Sequence, residues 1–124
     1  METFSKVNLK DKFSLFKDQW SPKIVGELNG QFVKLAKVEG SFDWHTHEEE
    51  DELFLVVKGS LTIKMRESDV TLEEGEFFIV PKAVEHKPVA EHEAWILLFE
   101  PKNTAHTGNV QNERTVAIEN QEWI

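Results

Sequence analysis

The stretch Trp44–Gly59, WHTHEEEDELFLVVKG, sets two histidines one residue apart, follows them with five consecutive acidic residues and then turns apolar. On a helix, side chains two apart diverge. On a strand they share a face, with Cα atoms about 6.5–7 Å apart, so two imidazoles can converge on one ion at about 2.1 Å each. His45 and His47 therefore form a metal-binding pair if FDWHTH is extended, as Trp44 and Thr46 permit. Most carboxylates of the acidic run are expected to be solvated. Glu52 differs, because it stands directly before LFLVV and in phase with Phe54 and Val56. If those two face a barrel interior, so does Glu52, and a carboxylate there is costly unless paired or metal-bound. Glu52, rather than Asp51, is the expected third ligand.

Downstream, GEFFIVPKAVEHKPVA reads as a buried strand, FFIV, closed by Pro81 and a turn, with His86 opening the next extended piece. His86 is the fourth candidate. Three neutral imidazoles and one carboxylate suit one divalent ion: iron, manganese, nickel, cobalt or zinc. Histidine ligands must be neutral to bind, so metal affinity should fall below about pH 6–6.5.

Around these segments, turn signals recur at Lys58-Gly59, Glu67 to Asp69, Glu73 to Gly75 and Pro81 to Ala83. Between them lie LFLVV, LTIKM, VTL, FFIV and AWILLF, short and rich in β-branched or aromatic residues. Evenly spaced short strands predict an antiparallel sandwich or barrel. Asn29-Gly30 predicts a tight hairpin, because both central residues must adopt positive φ. Leu9, Phe13, Phe16 and Trp20 keep helix-like spacing after a capping Asn8, which predicts a short helix or arm. LTIKM alternates and so faces water on one side, whereas LFLVV is apolar throughout and needs both faces covered. The arm, the tail or a second subunit must cover the outer one, and a homodimer is expected.

The chain has 124 residues, one domain's worth, with 23 acidic and 14 basic side chains, a formal charge of −9 and no cysteine. Such a field repels phosphate backbones, so nucleic acid is not an expected partner. Without cysteine there are no disulfides, thiolate ligands or cysteine nucleophile. No run approaches the roughly 18 apolar residues of a membrane span. METFSKVNLKDKF lacks an apolar signal region, so a cytoplasmic protein is expected.

Together, GSFDWHTHEEEDELFLVVKG and GEFFIVPKAVEH resemble the two motifs of the cupin superfamily. Gly40, His45, His47, Glu52 and Gly59 match the first, with four residues after Gly40 instead of five. Gly75, Pro81 and His86 match the second, whereas Ala83 replaces its glycine and Ala90 its asparagine. The resemblance covers residues 32 to 100 and implies an all-β, antiparallel jelly-roll barrel whose mouth holds a metal on His45, His47, Glu52 and His86. One domain is expected over 1–124: an N-terminal arm and first hairpin strand over 1–30, a barrel core over 31–101, and a C-terminal loop and tail over 102–124.

Fold analogy does not give a reaction. A metal-dependent enzyme acting on a small polar molecule is one expectation; the alternatives are a binding or sensor module and a purely structural metal. Glu100 is in phase with Ile96 and Leu98, which makes it either a cavity-facing acid–base group or a solvated acid at a strand end. Trp44 and Trp95 read as an aromatic cavity wall or as core. His106, in the polar loop KNTAHTGNVQNE, and His92, in an EHE turn, read as surface histidines, with a lid role the alternative for His106.

Overall fold

In a computed structural model, which describes residues 5–102 and 121–124, the spine of the fold is a strand of 16 residues, His86–Pro101. In chain order the elements are α1 (Leu9–Phe13), β1 (Lys23–Leu28), β2 (Gln31–Ser41), β3 (Glu52–Lys58), β4 (Leu61–Met65), β5 (Asp69–Leu72), β6 (Phe77–Val80), the spine β7 (His86–Pro101) and β8 (Glu122–Trp123). β2 runs antiparallel to almost all of β7, from Gln31 opposite Pro101 to Ser41 opposite Val89. The first half of β7 also pairs with β4, and its second half with β3. β5 extends the β4 side, β6 the β3 side, and β1 with β8 the β2 side. The result is the expected all-β, cupin-like roll, in which one long strand belongs to both walls.

A long strand can serve both walls only if it bends. Val38 faces Ala94 and Gly40 faces Ala90, so Glu91, His92 and Glu93 stand against Glu39 alone. This is a bulge, which bends the strand and increases its twist. The sequence expectation of a turn at His92 is thus corrected: pairing with β2 resumes on both sides, and the exposed EHE lies within the strand.

Alternation fills the interior with Ala36, Val38, Phe54, Val56, Leu61, Ile63, Ala94, Ile96 and Leu98, all at most 5% exposed. Burying each of the larger side chains contributes about 1.5–3 kcal/mol. FFIV is only half buried, a second correction: Phe78 and Val80 turn inward, while Phe77 and Ile79 on the outer face are 60% and 48% exposed.

Asn8 caps α1 by accepting the Asp11 N–H at 3.0 Å, but the helix ends at Phe13, well short of Trp20. Phe13 and Phe16 then pack with Val25 and Leu35 in a second cluster outside the barrel, which Val57 and Trp95 join. Lys37 Nζ donates to Phe16 O at 2.7 Å and ties the arm down. The arm therefore covers the Val57 end of the outer face of β3. Asn29 (φ 53) and Gly30 (φ 77) form the expected two-residue hairpin between β1 and β2. Among the described residues no helix is long and apolar enough to cross a membrane.

Candidate metal centre

His45 and His47 precede β3 in an extended segment, and the backbone stitches that segment to the second motif. The N–H of His45 donates to His86 O and the N–H of His86 to His45 O, both at 3.0 Å, while the N–H of Ala83 donates to His47 O at 2.7 Å. The histidine pair has the strand geometry that its spacing requires. Glu52 opens β3 opposite Val80 and turns inward with Phe54 and Val56. Asp51 points out and accepts the Lys82 N–H at 2.8 Å.

One ligand atom from each of His45, His47, Glu52 and His86 falls within 4.8 Å of all the others, and the four residues are between 0% and 5% exposed. His45 Nδ1 lies 2.8 Å from Asp43 O and His86 Nδ1 lies 2.9 Å from Val84 O. A carbonyl only accepts, so both rings carry the proton on Nδ1 and turn a lone pair on Nε2 toward the centre. His47 Nε2 and His86 Nε2 lie 3.3 Å and 3.6 Å from Glu52 Oε1. All three atoms are buried without a hydrogen-bond partner. Buried polar atoms are rarely left so. Three of them facing one point, with His45 completing an N₃O donor set, fit a divalent cation.

The electrostatics of the metal-free centre divide the ligands. Burial, reinforced by His86, pushes His45 down to about 4. Burial opposes a charge on His47 as well, but the Glu52 carboxylate outweighs it and holds His47 above the ordinary histidine value. For Glu52, burial is outweighed by its neighbours Glu100, His47 and His86, which hold it well below the usual carboxylate range.

Glu100 is wholly buried, not solvated at a strand end. Its Oε1 lies 2.8 Å from Lys34 Nζ, itself wholly buried, and its carboxyl stands close enough to Glu52 for the two to shift each other's titration. Burial and the Glu52 charge drive the Glu100 carboxyl well above its usual range, with Lys34 opposing them. Of the two carboxyls, Glu100 is thus the one that favours its protonated form and Glu52 the one that favours the charge. Sequence reading missed Lys34, although its phase with Ala36 and Val38 was the available signal.

Neither proposed wall tryptophan lines the interior. Trp95 alternates with inward Ile96 and stacks on Phe13 at 4.8 Å outside the barrel. Trp44 alternates with inward His45 and carries the Arg66 guanidinium 3.8 Å from its ring. Arg66 also bonds Glu85 at 2.8 Å, so it clasps the residues preceding His45 and His86 from outside. The aromatic walls are instead Trp20, Phe42 and Phe54. His92 is exposed at the bulge, away from the centre, and His106 lies outside the described residues.

Residues 31–100 match the family model Cupin_2, the cupin domain. The chain belongs to the cupin family. A cupin-2 domain containing protein from Shewanella frigidimarina is 48% identical, with a TM-score of 0.76 over 77% of this chain and 93% of that one. NMB1881 from Neisseria meningitidis is 32% identical, with a TM-score of 0.72 over 78% of this chain and 99% of that one. The uncharacterized protein YdbB of Bacillus subtilis is 34% identical over 64 residues, which span 51% of this chain and 57% of YdbB.

Proposed function

We propose that this cupin is a metal-dependent enzyme acting on a small molecule, with His45, His47, Glu52 and His86 as ligands to one divalent ion. The observation that carries the reading is the convergence of His47 Nε2, His86 Nε2 and Glu52 Oε1, buried and unbonded, on one point. The ion would supply Lewis-acid or oxygen-activating chemistry to a ligand bound through its oxygens. The protein's part is to present three imidazoles, of which His45 is held neutral by burial, with an ionised Glu52 and a Glu100 that favours its protonated form. Held by Lys34 on one side and Glu52 on the other, Glu100 is the group able to deliver or take back a proton beside the ion. Untagged protein purified without chelator should carry near-stoichiometric iron, manganese, nickel, cobalt or zinc, and His86→Ala should lose it. No metal in the wild-type protein, and none on reconstitution, rejects the reading.

A second reading, a binding module or a purely structural metal, draws on the near-complete burial of all four ligand residues. Azide separates accessible from closed sites: it should perturb the spectrum of the cobalt-loaded protein only where a coordination position is open. An unchanged spectrum favours the structural metal, and ligand binding without turnover favours the module.

A further inference from the structure

The N-terminal arm does more than cover the outside of the barrel. After Phe16 it crosses to the interior, where Trp20 packs against the core cluster lining the roll. Trp20 has φ 58, in the left-handed region that a bulky residue rarely adopts. Two hydrogen bonds hold it there: its backbone N–H donates to Lys37 O at 2.9 Å, and its indole Nε1 donates to Glu39 O at 3.0 Å. So fixed, the ring stacks on Phe42 at 4.7 Å, and Phe42 meets the His45 ring edge-on at 5.3 Å.

Trp20, Pro22, Phe54, Ile96 and Leu98 wall a cavity of about 40 Å³ onto which His45 and Glu52 open. A single water needs roughly 10–15 Å³, so there is space for a branch of about two to four carbon atoms and for no extended sugar or peptide. Apart from His45 and Glu52, the surroundings are apolar, and a polar group entering would lose hydrogen bonds that nothing replaces. The cavity therefore selects a ligand with two unlike ends. Its oxygen-bearing head meets the ion, and a short aliphatic tail lies under Trp20.

We infer that Trp20 is a specificity-determining residue, fitting the metal centre to small oxygen-chelating ligands, such as 2-hydroxy or 2-oxo carboxylates, that bear a short apolar tail. This narrows the small polar ligand expected from the sequence to an amphiphilic one, and it rests on the metal reading above. Trp20 stands in the arm, outside the residues 31–100 that match the family model, and closes a cavity whose other walls are largely barrel strands.

The test is a titration of the cobalt-loaded protein with 2-hydroxy carboxylates of increasing chain length, from glycolate to 2-hydroxyoctanoate, followed by its visible spectrum. Affinity should rise about three- to fourfold per methylene up to the tail length the cavity accepts, then fall. Trp20→Ala should move the optimum to longer tails at unchanged cobalt stoichiometry, Trp20→Phe should move it the same way but less far, and Ala36→Val, which narrows the cavity from β2, should move it to shorter ones. A wild-type series that binds with no dependence on tail length, or an optimum that ignores both Trp20→Ala and Ala36→Val, overturns the inference while leaving the metal centre intact. Failure to take up cobalt removes the metal reading and the inference with it.

Discussion

Lys34 Nζ and Glu100 Oε1 lie 2.8 Å apart inside the barrel with neither side chain exposed. They project from the inward faces of paired strands, since Lys34 stands opposite Leu98 and Phe32 opposite Glu100. Through Glu100 the contact continues to Glu52, and from Glu52 to His47 and His86. Desolvating both groups is expensive, so the pair is not retained for stability alone. It fixes the carboxyl that in turn fixes Glu52.

Its two members are not equivalent. Glu100→Leu leaves Lys34 Nζ buried without the Oε1 that faces it at 2.8 Å, and orphaning a buried polar group costs about 1–3 kcal/mol, more where the group is charged. Lys34→Met should cost less, because the Glu100 carboxyl, driven well above its usual range, favours its neutral form, which burial does not penalise as it does a charge. The double variant should recover part of the Glu100→Leu loss. Urea unfolding of the metal-free proteins measures all three. Equal losses in the two single variants would mean that the lysine charge does not govern the energetics.

Two turn positions should respond to substitution with opposite signs. Ala83, where the family motif has glycine, adopts φ 66, and the turn survives because its N–H is held by His47 O. An L-residue there costs about 1 kcal/mol or slightly more. Ala83→Gly should therefore stabilise by about 0.5 kcal/mol, the remainder being offset by the greater freedom of glycine in the unfolded chain. Gly59 has φ 89, and an added Cβ would lie 3.2 Å from Ala94 Cα and from Glu93 O, which are backbone atoms that cannot swing aside. Gly59→Ala should destabilise by roughly 1–3 kcal/mol. Denaturant midpoints read both, and a stabilised Gly59→Ala would refute the steric argument.

The sequence was most informative where a period meets a chemical cost. The phase of Glu52 with Phe54 and Val56 oriented the carboxylate, and the His45–His47 spacing required an extended backbone; both features hold in the structure. Asn29-Gly30 located a hairpin because few residues tolerate its dihedrals. Long-range pairing was not legible in this way. EHE looks like a turn locally, yet β2 pairs across it and makes it a bulge in a continuous strand. Trp20 fits a helical stripe with Phe13 and Phe16, but the chain leaves the helix at Phe13 and carries it to the other side of the wall. Trp44 and Trp95 stand one residue from inward positions, and parity alone turns them away from the cavity. Lys34 was obscured because a lysine is ordinarily read as exposed, and only a partner distant in sequence reverses that.

Occupancy of the centre should couple to stability. The unbonded atoms on His47, Glu52 and His86 are a cost in the metal-free protein that a bound cation removes. With free metal at about 100 times Kd, the folded state gains about 2.7 kcal/mol, roughly 10 °C in melting temperature for a domain of this size. His47→Ala and His86→Ala should melt at the same temperature with and without metal. A wild-type melting temperature that ignores added manganese, cobalt and zinc would contradict the assignment.

The pH dependence of that coupling should be governed by His47 before His45. A metal requires neutral imidazoles, so each ligand competes with protons below its own pKa. Glu52 holds His47 above the ordinary histidine value of 6.5, so its proton must be displaced already near neutrality. His45, pushed down to about 4, carries no proton to displace until far lower pH. Affinity should therefore begin to fall above pH 6.5, earlier than unperturbed histidines would give. In the metal-free protein the two rings act on stability with opposite signs. The contribution of His47 is fully present below pH 6.5 and is lost as pH rises through its raised pKa. That of His45 is present above pH 6.5 and is lost as pH falls toward about 4, where the unfolded chain binds the proton more readily. Competition with a chromophoric chelator from about pH 8 to about pH 6 measures the metal side. Affinity that stays flat across that range would show that Glu52 does not hold a proton on His47.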